Sequence, residues 1–400
     1  MIKTKTGEYR RASLALALGS FLVFCNLYIV QPMLPLIANK FSASATATNW
    51  LLAAGTLSLA LTLVPWAIYS ERVGRRKVML LSLFLVPLVG LVMLLADTLL
   101  MMVLARVVMG VALAGFTAVA VAFMAEEFSP EALILAVGGY ISANSLGGIF
   151  GRIYGAAVSD HWGWQAAVAG MALFSFIGAL LVRQLLPAQQ HFRPQQANLQ
   201  QHGQTVLMHL RQPSLWLAML IGGINFALFI NLYTVTGFRL VAPPYSFPVS
   251  WTGLIFLCYL SGTLTAKLSG WWSQYYSAIK GLLLGTTVSL LGMWCATYDS
   301  IISIVIGLLL ISSGAFFTHS LAYAWVSQQA KTAKATATAL YLVHYYVGGS
   351  LGGFYLIACW QYGGWSGVLA AGMALYSAIY WLCWRLNACI DSRPIMAKQV

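Results

Sequence analysis

Apolar residues in this chain come in long runs, not in the alternation of a strand or the stripe of a soluble helix. A membrane-crossing helix needs about 20 consecutive, mostly apolar residues. Twelve segments meet that requirement, near 12–37, 48–69, 78–96, 99–124, 133–157, 164–186, 214–238, 249–272, 281–298, 300–326, 335–358 and 364–386. Basic residues precede the first, as in a signal peptide. However, Ala12 to Val30 is too long for a signal core and no small-residue cleavage site follows, so it reads as a span. Pro32 and Pro35 are expected to kink or end it. Most connections are short; the exception is Pro187 to Pro213, rich in Gln and His, with the composition of a flexible linker. The expected architecture is an all-α polytopic membrane protein of twelve transmembrane helices in two pseudo-symmetric six-helix bundles. The halves cover 1–186 and 214–400, joined by the linker 187–213.

The halves repeat each other. In the first span Phe24, Asn26, Leu27, Tyr28 and Val30 recur as Phe229, Asn231, Leu232, Tyr233 and Val235, an offset of 205. From the fifth span onward Tyr140, Gly147, Gly148, Gly151, Gly163 and Trp164 recur as Tyr341, Gly348, Gly349, Gly352, Gly364 and Trp365, an offset of 201. Duplicated halves imply a midplane binding site reached alternately from each side. The strips Gly147, Gly148, Gly151 and Gly348, Gly349, Gly352 allow close helix approach, which suits a sliding interface. Trp162, Trp164, Trp360 and Trp365 flank equivalent turns and read as interfacial anchors.

Composition agrees with a membrane protein and removes its rivals. Charged residues are 8% of the 400, against about 25% in soluble domains. A net charge of +13 would suit nucleic-acid binding, but the charges are placed otherwise. With a cytoplasmic N-terminus, seventeen of the 22 Lys and Arg fall in alternate loops, Arg76, Lys77, Arg193, Lys331, Arg393 and Lys398 among them. The opposite loops hold only Lys40 and Arg239. By the positive-inside rule both termini face the cytoplasm, in an inner membrane, and the partner is lipid and not nucleic acid. The six cysteines lie in or beside apolar segments without a C-x-x-C pair, so neither disulfide nor zinc is indicated, and no metal or cofactor is expected. The chain has no H-E-x-x-H, no G-x-S-x-G in a loop, no acid pair at depth and no P-loop, which argues against an enzyme and against ATP-driven transport. A receptor would add a sizeable soluble domain.

The loop after the second span reads Ala67-Ile-Tyr-Ser-Glu71-Arg72-Val-Gly74-Arg75-Arg76-Lys77 and resembles the G-x-x-x-D-R-x-G-R-R/K motif of the major facilitator superfamily. Ala67 stands where Gly is usual and Glu71 where Asp is usual. Arg106 with Gly110 and Gly115, and Glu126-Glu127-Phe-Ser-Pro130-Glu131, resemble two further elements of that family. The run Gly147 to Arg152, with Tyr345-Tyr346-x-Gly348-Gly349, resembles its bacterial drug and sugar exporter branch. The resemblance implies alternating access, and a conformational latch made by Glu71, Arg72, Gly74, Arg75, Glu126 and Glu127. The second half carries Gln274 and Tyr275 where the first has Glu71 and Arg72, so the latch is expected to be asymmetric.

A charge at the bilayer centre costs roughly 2.5–3.5 kcal/mol on insertion scales, so polar residues inside spans are candidates for function. Arg106 reads equally as a cation held by helix carbonyls or as a substrate group. Arg152 lies near one end and can snorkel, as can Lys267. His319 and His344 are imidazoles of the kind that change charge near neutral pH. Asn26, Tyr28, Asn144, Asn231, Tyr341 and Tyr345 complete the expected substrate and coupling set. No carboxylate sits in the middle of a span, so proton coupling would fall to Glu126, Glu127 or the histidines. The expected function is a secondary active transporter, a proton-coupled exporter of small organic compounds or drugs that works as a monomer. The alternative is an importer or exchanger of organic anions using Arg106 and Arg152.

Overall fold

The computed structural model describes residues 1–192, 194, 199–330 and 332–391. Of the basic loop residues, Arg193, Lys331, Arg393 and Lys398 lie outside the described residues, as does part of the expected linker. The elements are α1 Gly7–Tyr28, α2 Leu34–Lys40, α3 Ala45–Val73, α4 Arg75–Met93, α5 Leu99–Glu127, α6 Pro130–Leu185, α7 Leu199–Leu210, α8 Pro213–Val241 and α9 Val249–Thr252. After a 3₁₀ turn, Gly253–Cys258, come α10 Tyr259–Tyr275, α11 Ala278–Cys295, α12 Ile301–Gln329 and α13 Lys334–Asp391.

Local chemistry sets where the helices begin. Thr6, Ser44, Thr98, Ser129 and Ser277 each stand just before a helix and accept a hydrogen bond from the backbone N–H three residues on. Each thereby satisfies one of the donors a helix start leaves unpaired. As expected, α1 stops before the prolines, and α2 starts with proline in its first turn.

Among the described residues ten helical segments are long and apolar enough to cross a membrane. Two of them, Pro130–Leu185 with 56 residues and Thr336–Cys389 with 54, are double length. At about 1.5 Å per residue either one is far longer than a hydrocarbon core of about 30 Å. Each is broken once, by Gly163 at φ 85° and by Gly364 at φ 57°. A side chain with a Cβ pays a steric penalty in that left-handed region, and glycine does not. The breaks make two crossings of each long helix and bring the total to the expected twelve. These glycines are repeat-related, so the same residue folds the chain back in both halves.

The eighth span is not a single α-helix. The 3₁₀ turn interrupts it where Gly253 packs against Ala156, which leaves no space for a Cβ. The chain divides into two compact units: Met1–Ala197 with Thr234–Leu257, and Asn198–Tyr233 with Cys258–Val400. Thr234–Leu257 of the second sequence half belongs to the first unit, where apolar packing and two polar contacts join it. Ser250 Oγ donates to Asp160 Oδ2 at 2.6 Å, and Gln31 Nε2 donates to Thr234 Oγ1 at 2.9 Å.

Inside unit 1, α1 crosses the first half of α6 on glycines. A Cβ on Gly147, Gly151 or Gly155 would run into the backbone of Phe21, Cys25 or Ile29 respectively. Inside unit 2, Gly348 and Gly352 of α13 meet the backbone of Gly223 and Ala227 of α8 in the same way. Between helices in lipid, close packing of this kind supplies the stabilisation that water-driven burial supplies elsewhere. The crossing also corrects the repeat. It pairs Phe21 with Gly223 and Cys25 with Ala227, an offset of 202 where residue identities had suggested 205. Asn26 and Asn231 are therefore not equivalent positions; Asn231 sits at the level of Ile29.

Candidate functional site

Arg106 is 1% exposed, about two turns inside the start of α5. Its Nε donates to the Leu51 carbonyl at 2.9 Å, and its two terminal nitrogens donate to the carbonyls of Asn26 at 2.9 Å and Leu27 at 2.6 Å. A helix leaves its last four carbonyls without partners inside the helix. In α1 those belong to Cys25, Asn26, Leu27 and Tyr28. Cys25 is satisfied by the Ile29 N–H at 3.0 Å and Tyr28 by the Gln31 N–H at 3.1 Å. Arg106 takes the remaining two. The guanidinium thus caps the negative end of α1 and ties it to α3, which explains how a cation is stable there without a carboxylate.

Arg152, also 1% exposed, holds the turn that follows α1. Its Nε donates to Gln31 Oε1 at 2.6 Å and another nitrogen donates to the Gly148 carbonyl at 2.9 Å. The guanidinium lies 3.9 Å from the Tyr28 ring centroid and 4.9 Å from that of Phe256, within cation–π range. Asn26 donates to the Leu22 carbonyl at 2.9 Å and to Ser175 Oγ at 2.7 Å. The four unit 1 candidates Asn26, Tyr28, Arg106 and Arg152 therefore share one buried neighbourhood around the end of α1. Both arginines are bonded inward, so of the two readings open for Arg152 snorkelling is not the one seen. Lys267 is exposed, consistent with snorkelling. Asn144 is half-buried on α6 and joins none of these groups.

Unit 2 brings together a different chemistry. His319 Nδ1 lies 3.0 Å from the Tyr341 hydroxyl, and the His319 ring is 4.3 Å from the Tyr345 ring. Tyr345 stacks on Phe226 at 3.9 Å with the planes 15° apart, and Tyr323 meets Tyr341 edge-on at 5.6 Å. His344 stays outside this cluster, with Nδ1 donating to the Leu340 carbonyl at 2.8 Å. Asn231 is fully buried at the glycine crossing and donates to the carbonyls of Ala227 at 2.9 Å and Gly349 at 2.8 Å. Neither Asn26 nor Asn231 presents its amide to open space, as cavity-lining groups would; both amides satisfy helix carbonyls.

The expected charge cluster lies at the turn from α3 to α4 and at the end of α5. Arg75 Nε meets Glu126 Oε1 at 3.0 Å, and its neighbouring nitrogen bonds Ser70 Oγ and the Ala67 carbonyl. Gln189 Nε2 donates to the other Glu126 oxygen at 2.9 Å. Glu127, 2% exposed, accepts the N–H groups of Gln190 and His191, both at 2.9 Å, and lies 2.9 Å from His191 Nδ1. Gly74, at φ 102°, makes the turn between α3 and α4, and Glu71 is half-buried beside exposed Arg72. The partners Gln31, Ser175, Gln189, His191 and Phe226 belong to no motif. For Gln31 and Ser175 the available signal was a polar residue inside an apolar run; for Gln189 and His191 there was none. Trp164 also departs from the expected anchors: it is 5% exposed and packs near Phe41.

The chain is similar to known proteins over most of its length. The chain is 32% identical over 367 residues to the inner membrane transport protein YnfM of Escherichia coli, covering 92% of this chain and 88% of that one. It is 30% identical over 370 residues to an uncharacterized transporter of Buchnera aphidicola, covering 92% and 89%. A bacterial homolog of the human lysosomal transporter Spinster, solved inward-facing and occupied, superposes with a TM-score of 0.75 at 15% identity, over 96% of this chain and 98% of that one. The Major Facilitator Superfamily profile matches residues 16–353, and the chain, a membrane transporter with twelve crossings, belongs to that family.

Proposed function

We propose that the protein is a proton-coupled exporter of lipophilic or amphipathic organic compounds in the bacterial inner membrane, working as a monomer with both termini in the cytoplasm. The observation that carries this reading is the bonding of Arg106. Its guanidinium is committed to three carbonyls, two of them at the end of α1, so it is poorly placed to hold an organic anion. Arg152 is likewise engaged by Gln31, Gly148 and two aromatic rings. That weakens the anion-exchange alternative, which needs these two cations. The aromatic cluster of Phe226, Tyr323, Tyr341 and Tyr345 around His319 suits ring-bearing compounds. His319, hydrogen-bonded to Tyr341, is the group we assign to proton coupling. Glu71, Arg72, Gly74, Arg75, Glu126 and Glu127 act as the latch that biases one conformation on the cytoplasmic side.

Everted vesicles with an imposed pH gradient test the reading. Acidifying the lumen is expected to drive uptake of a lipophilic dye, and His319→Gln is expected to abolish the dependence on the gradient. Counterflow of an organic anion that ignores the gradient and is lost in Arg152→Gln would replace this reading with anion exchange.

A further inference from the structure

The 202 and 201 offsets set by helix packing allow the two units to be compared residue by residue, and they differ at one place by a hole. In unit 1 the rings of Phe21, Phe150 and Phe174 pack together, with centroids 5.3, 6.3 and 6.0 Å apart, and Tyr154 stacks on Phe150 at 6.0 Å. The repeat-related residues in unit 2 are Gly223, Leu351, Leu375 and Tyr355. All four line a cavity of about 420 Å³ between α8 and the two halves of α13. Cavities of roughly 300–1,000 Å³ hold drug-sized ligands. Where unit 1 fills the space with three of its own phenyl rings, unit 2 leaves it open. Phe226 does not fill it, because its ring is stacked on Tyr345.

The lining adds one polar group that unit 1 lacks. His344 lines the cavity, whereas the repeat-related residue is Ala143. Its Nδ1 must carry the hydrogen, since the Leu340 carbonyl can only accept. The neutral ring then presents Nε2 as an acceptor, and Nε2 has no partner among the described residues. The rest of the lining is apolar apart from the Tyr355 hydroxyl, and the cavity opens beside Leu351, which is 60% exposed.

The geometry points to a binding site for a lipophilic small molecule that carries aromatic rings and one hydrogen-bond donor, with the rings in the place of the missing phenylalanines and the donor on His344 Nε2. An acyl chain is the poorer occupant, because it would cover Nε2 without pairing it. This site is distinct from the His319 cluster, and the inference does not rest on the direction or coupling of transport.

The probes are 4-phenylphenol, biphenyl (the same rings without a donor) and dodecane, titrated into the purified full chain in nanodiscs. The readouts are thermal shift and quenching of intrinsic fluorescence. The expected result is saturable binding of 4-phenylphenol, tighter than biphenyl by about fivefold, the ratio one net hydrogen bond supplies. His344→Leu is expected to erase that ratio while biphenyl still binds. Leu351→Phe with Leu375→Phe installs the unit 1 residues; it is expected to remove binding of both aromatic probes without lowering the melting temperature of the ligand-free protein. Should the double variant fail to fold, the ratio lost in His344→Leu decides. Equal binding of 4-phenylphenol and biphenyl to the native chain would overturn the proposal, as would displacement of either by dodecane at the same concentration. Retention of binding in a folded double variant would overturn it too.

Discussion

Unit 1 and unit 2 descend from one repeat, yet their first long helices end in different ways. In unit 1, α1 stops at Tyr28 and Arg106 satisfies the carbonyls of Asn26 and Leu27. The helices α5 and α12 both run for 29 residues from a Thr98 or Ser300 start, which puts Leu308 at the Arg106 position in unit 2. There α8 passes Ile230, the equivalent of Tyr28, and continues to Val241. A helix that ends inside the membrane needs a donor for its carbonyls, and a helix that continues supplies its own. The arginine and the break therefore belong together. The same division holds at the ends of α5 and α12, where Glu126 and Glu127 of unit 1 correspond to Gln328 and Gln329 in unit 2. At these positions unit 1 carries charges, and unit 2 carries Leu308, Gln328 and Gln329.

The largest effect should come from the feature the units share. Gly151→Leu pushes a branched side chain into the backbone of Cys25, and overpacking typically costs about 1–3 kcal/mol, more where the neighbour is main chain. Gly352→Leu meets Ala227 in the same way. Both variants are expected to accumulate poorly and to melt well below the native protein. A native melting temperature in either would mean that the glycine crossing is not what holds the helix pairs.

Exchanging the residues that differ comes next. Arg106→Leu removes three interhelical hydrogen bonds at roughly 0.6–1.7 kcal/mol each and should destabilise by about 2–4 kcal/mol, read from thermal or denaturant unfolding in detergent. Arg106→Lys should recover part of this, since an ammonium can donate to carbonyls but lacks the planar fork. Leu308→Arg places a cation beside a continuous helix with no free carbonyls and should cost about 3 kcal/mol. If Arg106→Leu melts like the native chain and only substrate binding suffers, the arginine is a substrate group and the capping account fails.

How far the sequence carried depends on which physical signal each feature leaves. Twelve apolar runs need only a count against bilayer thickness, so the spans were legible. The glycines at 163 and 364 were found as repeat partners, although their role as chain reversals shows only in their backbone angles. Repeat register was less legible. Identities at Asn26 and Asn231 aligned the first helices three residues out, because a shared residue type is weaker evidence of equivalence than a shared backbone contact. Arg106 read as either a structural cation or a substrate group, and the choice turned on where α1 ends. Proline spacing suggested that end without locating the carbonyls. The sequence gathered the latch residues without pairing them; Glu126 and Glu127 lie 100° apart on a helix, so Arg75 meets the first and linker residues claim the second.

Asparagines give a smaller effect. Asn26→Leu and Asn231→Leu each lose two hydrogen bonds and should cost about 1 kcal/mol apiece. The Asn231 loss should be the lesser, because its Oδ1 is already buried without a partner among the described residues and leucine removes that penalty. A loss at Asn231 several times that at Asn26 would show that Oδ1 is paired in solution.

The smallest effect on stability, and the sharpest test of asymmetry, lies at the Arg75–Glu126 pair. These side chains are 13% and 28% exposed, and solvent-screened pairs of this kind are worth about 0.2–1 kcal/mol. A double-mutant cycle on Arg75→Ala and Glu126→Gln isolates that coupling from the bonds Arg75 also makes to Ser70 and Ala67. The expected coupling is about 0.5 kcal/mol, shrinking in high salt. The equivalent positions in unit 2 hold Ala278 and Gln328, so no such coupling exists there to be broken. A latch of this strength shifts a two-state equilibrium by about twofold, which changes a transport rate while leaving melting almost untouched. If Glu126→Gln alters neither the rate nor its salt dependence, the pair is only a surface contact. The difference in charge between the units would then act only through the buried arginines.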